Sequence, residues 1–321
     1  MKRTFMWGVI FAAGLIILSI VYPSKFLINL FTQILIMGLF ATSLNLLVGY
    51  TGMVSFGHAA FFGVGAYTAG IILQKYSSSV LFAFSTTIVF SAIAALIIGS
   101  FCIRLGSIYF AMLTLAFNQI IYIIVIRWTN MTGGDQGLIG GIPLPAFLSS
   151  PRAYFIFTVI VVAASLVVCK LVVDSPFGAI LKVIRENADR AYSLGIRVKS
   201  YQLIVFVMAG IFGGISGALM SLFISGAYPD FSYWAKSAEP IFMVIVGGMN
   251  SFLGPLIGAA IFTALIAYST MFTNLWGFII GGVLILIILL VRKGLVDYVM
   301  ELVAKRSVGS PKRLLSPRET G

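Results

Sequence analysis

Again and again between Phe5 and Val291 this chain runs for the thickness of a bilayer with hardly a charge. A helix that crosses a hydrocarbon core needs about 20 apolar residues. On that measure candidate segments fall at 5–22, 27–48, 56–74, 80–103, 107–126, 153–173, 201–224, 238–250, 254–272 and 276–291. The run 238–250 is short and broken at Gly247-Gly248, and 56–74 is rich in Gly and Ala, so both are candidates for incomplete crossing. The chain is 60% hydrophobic and 9% charged, against about 25% charged in soluble domains. No water-soluble fold of this length hides that much apolar surface. The expected fold is all-α: a polytopic membrane helix bundle of about 8–10 segments with broken or re-entrant helices.

Met1-Lys2-Arg3 ahead of the first run also suits a signal peptide. The run is long, and Ser19-Ile20-Val21 is a poor cleavage site, so it reads as a first membrane helix. Charge then orients the bundle. With the N-terminus inside and strict alternation, 16 of the 21 basic residues fall inside and 5 outside. That bias puts both termini in the cytoplasm. It also explains the net charge of +12 without nucleic acid. Residues 1–303 form one transmembrane domain, with an external loop at 127–152 and an internal loop at 174–200. Residues 304–321 read as a basic cytoplasmic tail, disordered by composition.

Gly52-Met53-Val54-Ser55-Phe56 recurs as Gly248-Met249-Asn250-Ser251-Phe252, each copy followed by Gly-Ala. Both copies fall at the cytoplasmic side of this topology, which suggests an internal duplication in the parallel sense.

Several chemistries lack their residues. None of the nine acids falls mid-span, where a carboxylate usually marks an ion or proton relay. The dipeptide Gly-Lys of a phosphate-binding loop does not occur. The single histidine, His58, has no mid-membrane acid to complete a triad and no metal-ligand cluster around it. Cys102 and Cys169 lie in apolar runs and read as buried thiols. The chain is therefore expected to be no enzyme, with no catalytic, cofactor or metal site of its own.

The internal loop is the most specific signal. Asp174-Ser175-Pro176 is a helix-start cluster. Phe177, Ile180, Leu181, Ile184, Ala188, Ala191 and Leu194 recur at helical spacing. Lys182, Arg185, Glu186, Asp189 and Arg190 fall on the polar side, and Gly195 suits a C-terminal cap. The spacing predicts one amphipathic helix over 177–196. It either lies on the membrane surface or docks a cytoplasmic motor subunit and passes its motion to the spans.

The stretch Arg185 to Ile196 resembles the coupling loop of ABC importer permeases, in the form of the branched-chain amino acid group, LivM type. The older importer pattern has Glu-Ala-Ala, three residues, then Gly. Here Glu186, Ala188 and Ala191 precede Gly195, a departure typical of that group. Ala41 to Phe61, Thr132-Gly133-Gly134 with Gly137, and Gly248-Met249 through Gly254-Pro255 are similar to the same family. The resemblance implies a heteromeric importer of leucine, isoleucine or valine. Its partners would be a second, related permease, two ATPase subunits carrying ATP and Mg, and a periplasmic or lipid-anchored binding protein. Its place would be the bacterial cytoplasmic (inner) membrane. Arg185, Glu186, Asn187, Ala188, Arg190, Ala191 and Gly195 would couple to the ATPase. Permeases of urea or short amides are a similar group and remain an alternative substrate class. An ion-coupled secondary transporter is the more distant alternative.

Gly49 to Gly57 interrupts two apolar runs, and unwound backbone at membrane depth is tolerated where it lines a cavity or is buried in protein. Asn45, Thr51, Gly52, Ser55 and His58 are therefore candidates to line a substrate pathway. The competing reading is close helix packing, with His58 as a bridge between helices and Gly63 and Gly65 as contact points. Gly133, Gly134 and Asp135 in the external loop either meet the binding protein or form a plain flexible turn.

Overall fold

The computed structural model describes residues 24–138, 141–272, 276–290 and 294–298. The expected first segment, 5–22, and the tail 304–321 lie outside the described residues. The other nine expected segments are all helical. They are α1 (Lys25–Thr51), α2 (His58–Ile71), α3 (Val80–Cys102), α4 (Ser107–Arg127), α5 (Pro151–Val173), α8 (Val198–Phe223), α9 (Trp234–Gly247), α10 (Gly254–Phe272) and α11 (Trp276–Leu290). Between α5 and α8 come two short helices, α6 (Pro176–Glu186) and α7 (Ala188–Ser193).

Six of these, α1, α3, α4, α5, α8 and α10, are long and apolar enough to cross a membrane. Each satisfies its backbone polar groups internally, as a hydrocarbon solvent requires. The helices α2 and α9 have 14 residues each, a length of about 21 Å against a core of about 30 Å. Those are the two segments the sequence marks as incomplete. Past Ile71, residues Ile72–Tyr76 continue α2 as a wider π-helical turn.

The bundle is built around α1 and α8, most of whose residues are buried. Small residues on α8 let it approach α2 closely. A Cβ on Gly65 would overlap the Gly214 carbonyl, and one on Gly217 would overlap the Phe62 carbonyl. Such contacts replace the missing hydrophobic drive between helices in lipid. The Tyr154 hydroxyl donates to the Leu219 carbonyl at 2.5 Å, joining α5 to α8. The helices α3 and α4 turn large apolar side chains outward, among them Leu81, Phe90, Ile108 and Met112. Acyl chains solvate such a face; water does not.

Alternation of the helices places two ends on the bundle. Arg104, Lys170, Arg185 and Arg197 lie near one, which we call the Arg185 end. Lys25, Lys75, Arg127, Arg152 and Lys236 lie near the other, the Lys236 end. Both motif copies sit at the Arg185 end, one between α1 and α2, the other between α9 and α10. In both copies the preceding helix runs toward the Arg185 end and the following helix runs away from it, but the short helix follows the first copy and precedes the second.

The internal loop corrects one expectation. The predicted single helix over 177–196 is two helices. Asn187 leaves the helical region, at φ −161° and ψ 104°. Its side-chain oxygen accepts from the Arg190 N–H at 2.9 Å and caps α7. A mid-segment Asn thus trades helix continuation for a local cap. The start and stop signals hold: Ser175 caps α6 with Pro176 at its first position, and Gly195 takes φ +82° after α7.

Candidate functional site

The residues of the internal loop meet both motif copies at one junction. Leu181 and Ile184 bury the apolar face of α6 against the bundle. That seating points Arg185 at two partners. Its guanidinium donates to the Gly49 carbonyl, near the end of α1, and to Asn250 Oδ1 at 3.0 Å. Asn250 in turn donates to Asp297 Oδ2, from its backbone N–H at 3.1 Å and its side-chain amide at 3.0 Å. One arginine therefore ties α6 to the first copy's neighbourhood and to the second copy itself. Arg185 is itself exposed, so water screens these bonds and they contribute less than the ~1.5–3 kcal/mol of a buried hydrogen bond to a charged group. The approach is close enough that a Cβ on Gly49 would overlap the Met249 carbonyl. Lys182 lies over the Tyr50 ring at 5.8 Å, and Lys170 over the Phe252 ring at 5.4 Å.

Of the loop residues expected to couple, Glu186, Asn187, Ala188, Arg190 and Gly195 are exposed, and Ala191 is buried. They form a polar rim standing off the bundle on two short helices. Beside that rim opens a cavity of about 680 Å³, lined by Thr51, Gly52, Arg104, Asp189, Tyr192 and Arg197 among others.

The expected pathway residues divide. Thr51 and Gly52 reach that cavity. Asn45, Ser55 and His58 are buried between helices. His58 lies 2.8 Å from the Ser43 hydroxyl, stacks on Phe40 at 5.2 Å and meets Phe61 edge-on. It joins α1 to α2. The first turn of α2 is also held by α9, where the Ser237 hydroxyl accepts from the Ala59 N–H at 2.9 Å. Asn45 Oδ1 and His58 Nδ1 have no hydrogen-bond partner among the described residues. A buried amide left so is costly in a packed interior. Gly63 and Gly65 are contact points, facing Ser232 and Gly214.

At the opposite end, Gly133, Gly134 and Asp135 belong to a tightly built turn. Gly133 and Gly134 have φ of +78° and +64°. Thr132 donates its hydroxyl to the Val125 carbonyl at 2.6 Å. A short antiparallel bridge follows, with the Leu138 N–H on the Ala227 carbonyl at 2.8 Å. Asp135 is left exposed on the rim.

Sequence reading missed Gly49, Asn250 and Asp297 as members of the junction. One signal was available: Asn250 stands where the first motif copy has Val54. A polar residue in one copy of an apolar pattern marks a partner elsewhere.

Six helices long and apolar enough to cross a membrane, two shorter helices and an amphipathic pair seated on one end define a multi-pass helical membrane protein. The chain belongs to the family of permease components of branched-chain amino acid transport systems, whose profile matches residues 26–288. It is 24% identical to the high-affinity branched-chain amino acid transport system permease protein LivM of Escherichia coli, over 89% of this chain and 74% of that one. The LivM protein of Salmonella typhimurium gives the same identity and coverage. A probable branched-chain amino acid transport permease protein LivM of Methanocaldococcus jannaschii is 24% identical over 67% of this chain and 73% of its own. No solved structure matches the chain.

Proposed function

We propose that this chain is the membrane-spanning permease subunit of an ATP-driven importer for branched-chain amino acids. It sits in the bacterial cytoplasmic membrane with both termini in the cytoplasm. A second, related permease completes the translocation pathway. Two ATPase subunits dock on α6 and α7 and carry ATP and Mg, while a periplasmic or lipid-anchored binding protein delivers leucine, isoleucine or valine at the Lys236 end.

The observation that carries this reading is the Arg185 junction. A motor subunit that displaces α6 pulls on the end of α1 and on the second motif copy through one guanidinium. Packed elements with few discrete arrangements transmit such a displacement. The exposed Glu186, Asn187, Ala188 and Arg190 offer the docking surface. The substrate assignment is supported by family membership and by the relatives' names. A greasy zwitterion also needs apolar walls and few fixed charges, and Asn45, Thr51, Gly52, Ser55 and His58 supply neutral polar groups along the α1–α2 seam. Gly133, Gly134 and Asp135 form the rim that receives the binding protein.

Uptake in a strain lacking the chain tests this. Labelled leucine uptake should disappear on deletion and return with the chain. Unlabelled isoleucine and valine should compete, and urea should not. Competition by urea with none by valine would replace the substrate class.

A further inference from the structure

Near the Lys236 end, α1, α9, α10 and α11 border a second, half-open cavity, of about 290 Å³. That is near the lower bound for small-molecule pockets, about 300 Å³. Gln33 lies eight residues into α1, about 12 Å along the helix, so the cavity sits in the outer half of a core about 30 Å thick.

Its walls divide into two kinds. Met37, Met243, Phe262, Ile266 and Ile280 are apolar. Against them stands an ion pair, with Lys236 Nζ 2.6 Å from Glu239 Oε2 and side chains only 17% and 29% exposed. Lys236 also lies 5.7 Å from the Phe62 ring centre. The other ion pair among the described residues, Lys170–Asp174, is more exposed and lies where α5 ends. A largely buried charge pair brings a desolvation penalty that apolar residues of similar size avoid. This one faces a mainly apolar chamber, where Met or Leu side chains of similar volume would pack without that penalty. A further polar side chain lies there. Thr263 lines the cavity, 2% exposed, and its Oγ1 has no hydrogen-bond partner among the described residues. Pro240, directly after Glu239, has no N–H, so the Lys236 carbonyl lacks its usual donor four residues on.

We propose that this cavity holds a zwitterionic α-amino acid with an apolar side chain, its carboxylate on Lys236 and its ammonium on Glu239. The Lys236–Glu239 contact opens, and one ion pair is exchanged for two. Total charge in the chamber is unchanged, so no uncompensated charge is created. A ligand with only one of the two charges leaves Lys236 or Glu239 without a partner. A neutral polyol leaves the pair closed against it. The methionines and Phe262 take the side chain, and Gln33 and Thr263 supply neutral hydrogen bonds. Both this chamber and the Thr51 cavity border α1, one toward each end of the helix. The assignment of the ligand rests on the importer reading above.

The test places a thiol in the wall, as Ile266→Cys, in the full chain assembled with its partners in cells. Cys102 and Cys169 are buried and give little background. Labelling by a small membrane-impermeant methanethiosulfonate added outside is timed with leucine, 4-methylpentanoate (no amine) and isopentylamine (no carboxylate). Leucine at about ten times its dissociation constant should slow labelling about tenfold by occupancy. Neither single-charge analogue should do so. Glu239→Gln should abolish the protection. So should the double variant Lys236→Met/Glu239→Met, which keeps the volume apolar should the single variant misfold. Equal protection by the analogues, or leucine protection that survives both variants, overturns the site. Leucine uptake by the unsubstituted importer is measured alongside. Uptake without protection defeats this site alone, and absent uptake defeats the importer reading itself.

Discussion

Arg185 donates to Asn250 across 65 positions of sequence, at 3.0 Å, while its other terminal nitrogen holds the Gly49 carbonyl. The end of α1, just ahead of the first motif copy, and the second copy are thus bridged through a residue of the loop between the copies. Asp297 closes the network by holding Asn250 in place from the far side. A guanidinium suits this post because its planar fork addresses two acceptors at once.

Arg185→Ala should therefore break the link while sparing the fold. Arg185 is exposed, so solvent reduces the ~1.5–3 kcal/mol of a hydrogen bond to a charged group to about 1 kcal/mol, roughly fivefold in a coupled equilibrium. Leucine uptake, normalised to the amount of chain in the membrane, should fall by about that factor. Arg185→Lys should recover little, because one ammonium cannot copy the fork. Unchanged uptake in both variants would remove the junction from the mechanism.

Glu186→Lys and Gly195→Pro should abolish uptake with normal membrane insertion. Glu186 is exposed at the end of α6, where a charge reversal disturbs a docking partner and little else. Gly195 sits at φ +82° with open space around its Cβ position. Proline is fixed near −65°, so the variant forces the chain leaving α7 onto a new course. Immunoblots of membrane fractions read insertion, and labelled leucine reads transport.

Gly65→Leu should destabilise the bundle, because a side chain there meets the Gly214 carbonyl, which cannot rotate away. Overpacking of this kind costs about 1–3 kcal/mol. Gly282→Ala, with open space at its Cβ position, is the control. The thermal midpoint in detergent should drop for the first variant and stay for the second. Ser43→Ala, which removes the hydroxyl beside His58, should cost about 1 kcal/mol with most uptake kept.

Much of this was legible because a bilayer allows few solutions. Apolar runs mark the helices, and the Gly-Ala content of 56–74 and the break at Gly247-Gly248 mark the two short ones. Ser175-Pro176 and Gly195 bracket the loop helices because caps are local chemistry. The break at Asn187 was hidden, since its neighbours keep helical spacing on both sides. The Arg185–Gly49–Asn250–Asp297 network was hidden because its members meet only once the helices pack. In the sequence Lys236 and Glu239 stand at the edge of the short run 238–250 with no sign of what they face. The fold turns them toward a chamber.

The purified chain, free of partners, should neither bind nor hydrolyse ATP, because it has no Gly-Lys-[Ser/Thr] to hold phosphates. Equilibrium binding of labelled ATP and phosphate release, both with Mg present, read this directly. Hydrolysis should appear only with the ATPase subunits added, and Arg185→Ala should leave it present while transport falls. Phosphate release by the chain alone would overturn the division of labour between subunits.

Orientation gives the most decisive experiment. Tyr192 on α7 is 75% exposed, and Gln136 in the opposite turn is exposed too. Both native thiols are buried at 0% exposure, so single cysteines can be read against a quiet background. A membrane-impermeant maleimide should label Gln136→Cys in intact cells and Tyr192→Cys only in inverted vesicles. The excess of basic residues at the Arg185 end requires that result, and ATP-driven coupling requires it too, because nucleotide is cytoplasmic. Labelling of Tyr192→Cys in intact cells would put α6 and α7 on the wrong side of the membrane for any ATPase to reach. The helix bundle would stand, and its coupling to ATP would fall.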